Sequence, residues 1–205
     1  MKIFKNKKMI IVIFLLLIAI VGFIIFKNNA YKKSNAGNNI NEKITLENAN
    51  EYILNIKYYE AKIEVTINSN KNSNKYIMEQ KHNIDEDYQK VLEPANLQGM
   101  EIIYKDNNLK VKNTALKLSK IYKDYPYIDS NILWLNSFVK EYKNSKDKSK
   151  KAYKDNENIV IEVAGKNEIK KLYINEKTGK PEKMSVEDQN KNTLVYIIYN
   201  EITLK

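Results

Sequence analysis

The sequence contains no cysteine and no arginine, one histidine (His82), one tryptophan (Trp134), three prolines and five glycines. Each shortage removes a chemistry. Without cysteine there is no disulfide, thiol nucleophile, thiolate zinc site or acylated N-terminal cysteine, and a solitary histidine excludes any site built on two. Without arginine there is no planar guanidinium fork for bidentate recognition of phosphate or carboxylate. The glycines, at 22, 37, 99, 165 and 179, form neither a GxGxxG pattern nor a P-loop. Nucleotide-dependent catalysis is therefore not expected, and no catalytic, cofactor-binding or metal site is assigned.

What is abundant is lysine (35), asparagine (29) and isoleucine (28) in a chain of 205 residues. These residues share AT-rich codons, so the asparagine content carries no functional weight. The net charge of +10 changes meaning once it is divided along the chain. All 25 acids lie at or after Glu42, whereas Lys2, Lys5, Lys7, Lys8, Lys27, Lys32 and Lys33 precede it. The remainder holds 28 lysines against 25 acids, too even a balance for a phosphate-tracking stripe, and no nucleic-acid partner is expected.

Met9 to Phe26 is an unbroken run of 18 residues with no charged or hydrogen-bonding side chain, and 15 of them are Ile, Leu, Val or Phe. As a helix it would reach about 27 Å, close to the ~30 Å hydrocarbon core. At roughly 0.4 kcal/mol per apolar residue, insertion is favoured by about 6 kcal/mol. Lys2, Lys5, Lys7 and Lys8 before it place the N-terminus in the cytoplasm by the positive-inside rule. The reading is a basic cytoplasmic segment (1–8), a transmembrane signal anchor (9–26), a flexible linker (27–43) and an extracytoplasmic domain (44–205). A cleaved signal peptide is the competing reading, with Ser34 and Ala36 as a small-x-small pattern before Gly37. The apolar run exceeds the usual h-region, however, and the cut would fall ten polar residues beyond it.

Within the domain, Thr45 and the run LENANEYILNI predict an N-cap and a short helix with Leu46, Ala49, Ile53 and Ile56 on one face. The period then changes to two. In AKIEVTI, Ala61, Ile63, Val65 and Ile67 alternate with polar residues, as in a half-buried strand. Further strands are predicted over 75–82, 87–92, 100–105, 108–112, 158–164, 168–175, 182–187 and 193–204, separated by turn chemistry. One long helix is predicted to start after Asp129 or Ser130 and to carry Ile132, Leu133, Trp134, Leu135, Phe138, Val139 and Tyr142. The fold class is α+β, a curved antiparallel sheet packed on helices.

The order of these elements, with the closing turn YINEKTGKPEKM, resembles the LolA/LolB-type lipoprotein-carrier fold, a half-barrel sheet cupping helices. The segments YQKVLEPANLQGMEIIYKDNNLKVKNTALKLSKIY and YPYIDSNILWLNSFVKEY are similar to GerS and GerS-related germination lipoproteins. The resemblance spans residues 45 to 204. It implies a non-enzymatic protein of spore formation and germination, a cell-wall amidase of the CwlD type as partner, and a possible homodimer. The apolar run gives a single-pass cell-membrane location with the domain outside, and the resemblance implies the forespore intermembrane space as that outer compartment. GerS proteins are lipoproteins and this chain has no cysteine to acylate, so the apolar run would replace the lipid. The alternative implied by the fold is a carrier or sensor of lipid or lipoprotein acyl chains.

Candidate residues follow from side-chain character. Ile63, Val65, Trp134, Leu135, Phe138 and Tyr142 are candidates for an apolar groove or partner contact, with ordinary core packing as the plainer alternative. Tyr122, Tyr125 and Tyr127 form a candidate aromatic interface loop. The six lysines between 143 and 154 suit anionic headgroups or a solvated loop equally well. His82, near Asp85, Glu86 and Asp87, reads as a solvated turn, because adjacent strand residues point to opposite faces.

Overall fold

The structure is a computed structural model and describes residues 43–69, 71–125 and 133–204. The apolar run at 9–26 lies outside the described residues, as does Tyr127. Eleven antiparallel strands form one sheet. They are β1 (Tyr59–Asn68), β2 (Ser73–His82), β3 (Glu86–Glu93), β4 (Met100–Lys105), β5 (Asn108–Asn113), β6 (Leu118–Tyr122), β7 (Lys150–Asp155), β8 (Asn158–Ala164), β9 (Glu168–Asn175), β10 (Pro181–Asp188) and β11 (Thr193–Leu204). Helix α1 (Ala49–Leu54) precedes them, and α2 (Leu135–Asn144) lies between β6 and β7. The chain enters at the middle of the sheet, meanders outward from β1 to β6, crosses to the opposite edge at β7 and meanders back. Strand β11 therefore closes against β1, giving the order β6-β5-β4-β3-β2-β1-β11-β10-β9-β8-β7.

Alternation decides which face is buried. Tyr59, Ala61, Ile63 and Val65 of β1 face the core, as do Ile159, Ile161 and Val163 of β8 and Leu172 and Ile174 of β9. In β11 the inward residues change phase, from Val195, Ile197 and Tyr199 to Ile202 and Leu204. The cause is a bulge: Lys62 pairs with Glu201 but Ile63 pairs with Tyr199, so Asn200 is unmatched. One extra residue turns a pattern that would break alternation into continuous burial.

Both helices are short and depend on the sheet for their stability. The backbone N–H of Thr45 donates to Asn48 Oδ1 at 2.7 Å, that of Asn48 donates to Thr45 Oγ1 at 3.4 Å, and the helix begins only at Ala49. Its buried face is Ala49, Tyr52 and Ile53, with the Tyr52 hydroxyl donating to the Gly179 carbonyl. Leu46, expected on that face, is 47% exposed because residues 46–48 form a turn before the helix. Helix α2 also starts later than expected. Trp134 is its N-cap with extended backbone (φ −100°, ψ 131°), and Leu135, Phe138 and Tyr142 form the buried stripe at helical spacing.

All nine strands expected from the sequence are present, with ends within two residues of the expectation. The two that were missed, β6 and β7, are the two edges of the sheet. Every residue of β6 is exposed, and every residue of β7 except Lys150. A strand with no buried face has no need of alternating apolar residues, so the period-two signal is absent there. Tyr122 consequently belongs to β6 rather than to a loop, while Tyr125 follows the strand. Beyond β3 the sheet runs past its cover, since no residue of β4, β5 or β6 is fully buried.

Candidate functional site

Helix α2 lies across the inner face of the sheet, and its two flanks meet different chemistry. Toward β1 and β8–β11 its N-terminal half makes apolar contacts: Leu135 and Phe138 share one core cluster with Ile63, Val65, Leu172 and Ile197. Toward β2 and β3, beside Met78 and Val91 of the same cluster, lie polar contacts that are just as buried. Trp134 Nε1 donates to Gln89 Oε1 at 2.7 Å, and Gln80 Nε2 donates both to Gln89 Oε1 at 3.0 Å and to the Leu133 carbonyl at 2.9 Å. Gln80 and Gln89 are 1% and 2% exposed, so these bonds replace water that cannot enter. They fix the helix in one position in a way apolar contact alone does not.

One step along the same flank, Asn136 Nδ2 donates to both carboxylate oxygens of Asp87, at 2.9 and 3.0 Å. The same carboxylate lies 2.5 Å from His82 Nδ1. The expectation of a solvated turn at His82 is thus corrected. His82 is the last residue of β2 and pairs directly with Asp87 across the hairpin, which brings the two to the same face. Local sequence separation was the wrong measure; hairpin register sets the contact. The ring of Tyr59 packs on His82 with centroids 5.5 Å apart. Burial, with Tyr199 and Asp87 close by, pushes the Tyr59 hydroxyl well up, while the N–H groups of Leu135 and Asn136 at the start of α2 act the other way. The Tyr199 hydroxyl, also raised by burial, has no hydrogen-bond partner among the described residues, and neither does Asn136 Oδ1.

At the C-terminal half of α2, Glu141 forms an ion pair with Lys170 of β9, which Glu168 also approaches at 3.0 Å. Burial lowers the Lys170 ammonium and the two carboxylates more than offset it, so the net shift is upward. The Tyr142 hydroxyl donates to Asn50, joining α2 to α1.

The six residues read as a groove or partner contact are therefore placed together beneath and along α2, all buried: Ile63, Val65 and Leu135 at 0%, Phe138 at 1%, Trp134 at 2% and Tyr142 at 3% exposure. Shallow depressions remain on the surface. One of about 360 Å³ lies beside His82 and Asp87 and is lined by Tyr104, Lys105, Asp106 and Lys140, among others, with no serine, threonine or cysteine at its wall. Among the described residues no group of three His, Asp or Glu side chains could hold a metal ion.

The aromatic residues after β5 are placed differently. Tyr122 is 39% exposed, with Tyr125 against it at 6.1 Å between ring centroids and the Lys120 ammonium 4.7 Å from its ring centre. Around them Leu116, Leu118 and Ile121 are 62%, 62% and 57% exposed. Unlike the tyrosines, these three are not distinguishable in the sequence, because isolated apolar residues between lysines carry no periodic signal. In the basic segment 143–154, Lys150, Lys151 and Lys154 are paired with Asp147, Glu162 and Glu176.

No protein-family model and no curated protein matches this chain. Among solved structures it is similar to a chain of the CwlD amidase complex with the GerS lipoprotein from Clostridioides difficile, at 24% identity and a TM-score of 0.48, over 78% of this chain and 96% of that one. It is similar to a LolA superfamily protein from Nitrosomonas europaea at 10% identity and a TM-score of 0.40, over 79% and 94% of the two chains. A chain of the MucA/MucB complex of Pseudomonas aeruginosa is similar at 11% identity and a TM-score of 0.42, over 77% of this chain and 54% of that one.

Proposed function

We propose that this chain is a membrane-anchored, non-enzymatic extracytoplasmic protein that binds and regulates a cell-wall N-acetylmuramoyl-L-alanine amidase during spore formation, in the manner implied by its GerS-like segments. The observation that supports a binding role over a carrier role is that the inner face of the sheet is filled over β1–β3 and β8–β11. Trp134, Leu135 and Phe138 occupy it and are tied to β2 and β3 by hydrogen bonds from Trp134 and Gln80. Releasing a lipid-sized volume there would require breaking that buried polar network. Action would then take place on the outer surface, and the chemistry would be the partner's. Regulation requires that the chain bind one state of the amidase more tightly than another. The apolar run from Met9 to Phe26 would hold the domain at the outer face of the membrane.

The test is to purify the full chain in mild detergent from a sporulating culture of its host and identify bound proteins and extracted lipids by mass spectrometry. The purified amidase is then assayed with and without the chain. A stoichiometric complex with altered amidase activity is the expected result. Bound acyl lipid with no protein partner would overturn it in favour of the carrier.

A further inference from the structure

The outer half of the sheet carries one surface that the amidase reading does not use. Pair register places Met100, Ile102 and Tyr104 of β4 beside Asn113, Val111 and Leu109 of β5, and these beside Leu118, Lys120 and Tyr122 of β6. This face continues the buried face of β3, where Gln89 pairs with Ile102, yet no residue on it is fully buried. At its edge the β5–β6 hairpin, residues 108–122, contains Lys110, Lys112, Lys117 and Lys120 and no acid. Only Lys112 has a carboxylate partner among the described residues, Glu101 at 2.9 Å. The opposite edge is the control within the same molecule, for in β7 Lys150, Lys151 and Lys154 are each neutralised by an acid. The hairpin thus carries three lysines with no carboxylate partner among the described residues, whereas the three lysines of β7 are paired.

Exposed apolar groups share that edge. Leu118 and Tyr122 project to one face of the hairpin, Ile121 to the other, and Leu116 sits in the turn. A folded protein partner would pack against one of these sides and leave the rest in water. A lipid interface, which has no fixed shape, receives all of them at once, and the lysines around them complement anionic headgroups.

We infer that the β5–β6 hairpin is a peripheral contact for an anionic lipid surface, made by Leu116, Leu118, Ile121 and Tyr122 within a collar of Lys110, Lys117 and Lys120. The inference rests on the anchor reading for its local concentration. Sixteen residues separate Phe26 from Lys43 and cannot span more than about 55 Å, so an anchored domain stays within reach of the bilayer. Two attachments, one inserted and one peripheral, would set the orientation in which the rest of the domain faces its partner.

The test uses the full chain reconstituted into vesicles of acyl-brominated phosphatidylcholine, with or without about one-third phosphatidylglycerol. Trp134 is 2% exposed and silent to the lipid, so Leu118→Trp adds a reporter at a site that is 62% exposed. Bromine is expected to quench the added emission in anionic vesicles and to lose that effect at about 1 M salt, where the Debye length is about 3 Å. Adding Lys117→Gln should lower the ratio of quenched to unquenched emission about fivefold, and the Lys110, Lys117, Lys120→Gln set about a hundredfold. An unchanged far-UV circular dichroism spectrum verifies the fold of each variant. Equal quenching in neutral and anionic vesicles, or none in either, overturns the inference. Carbonate washing reports the anchor separately: a retained but unquenched chain refutes the hairpin contact alone, whereas a quenched chain that washes off refutes the anchor alone.

Discussion

Replacing Asp87 by alanine isolates what holds α2 on its polar flank. The side chain of Asp87 is 9% exposed and accepts from Asn136 Nδ2 through both oxygens while contacting His82 Nδ1. Hydrogen bonds to a charged group contribute about 1.5–3 kcal/mol each, and removing one member of a buried network costs about 3–5 kcal/mol because the remaining polar groups are stranded. Asn136, only 5% exposed, already has Oδ1 without a partner among the described residues. We expect Asp87→Ala to lose about 4 kcal/mol, a fall in Tm of roughly 8–16 °C for a domain of this size. Urea unfolding of the full chain in detergent, followed by Trp134 emission and far-UV circular dichroism, measures it. A cycle with Asn136→Ala should give a coupling of about 1.5–3 kcal/mol. A loss below about 1 kcal/mol for Asp87→Ala, or additive single effects, would refute the idea that this carboxylate fixes the helix.

Three further outcomes follow from the same structure. Phe138→Ala removes a fully buried ring from the apolar flank and should cost about 3–5 kcal/mol by the same unfolding measurement, with a value under ~1 showing that the site collapses to fill the space. In alkaline solution the sign is set by Lys170, whose folded pKa is above its unfolded one, as are those of Tyr59 and Tyr199. Their contribution is complete below about pH 10 and is lost as pH rises further, so Tm should fall there, less steeply in Lys170→Met; a Tm flat to about pH 11 would contradict it. Gly99, at φ +78°, has open space where a Cβ would stand, so Gly99→Ala should cost only the backbone term of about 1 kcal/mol; a loss above ~3 would reveal a contact not accounted for.

The strands whose alternation is legible in the sequence are those with one buried face, because burial on a pleated sheet imposes a period of two that composition cannot hide. AKIEVTI is the clear case, with Ala61, Ile63 and Val65 buried between more exposed residues, whereas MEIIYK and NIVIEVA do not alternate in burial and are legible from their β-branched content between turn residues. The edge strands LSKIY and KKAYKD carried no such pattern, and the start of α2 was placed too early because Leu133 and Trp134 are as apolar as the helix that follows. The six residues on and beneath α2 were legible as apolar, while whether they line a gap or fill it depends on helix placement, which no periodicity encodes. Asp87, Gln80 and Gln89 were invisible as core residues. A buried carboxylate or amide resembles a surface one until hairpin register and a crossing helix supply its partners.

The central pairing of β1 with β11 has a kinetic consequence. Ile63 meets Tyr199 across that ladder, 136 residues later in the chain, whereas every other neighbouring pair of strands is consecutive in sequence. Each doubling of a closed loop adds about 0.6 kcal/mol of entropy, so this seam costs roughly 3 kcal/mol more to close than a tight hairpin. Two meanders can therefore zip early and independently, and the seam between them sets the speed limit. Until β11 arrives, the inner edge of β1 stays open, and a chain delivered N-terminus first would pass through that half-sheet state every time it folds.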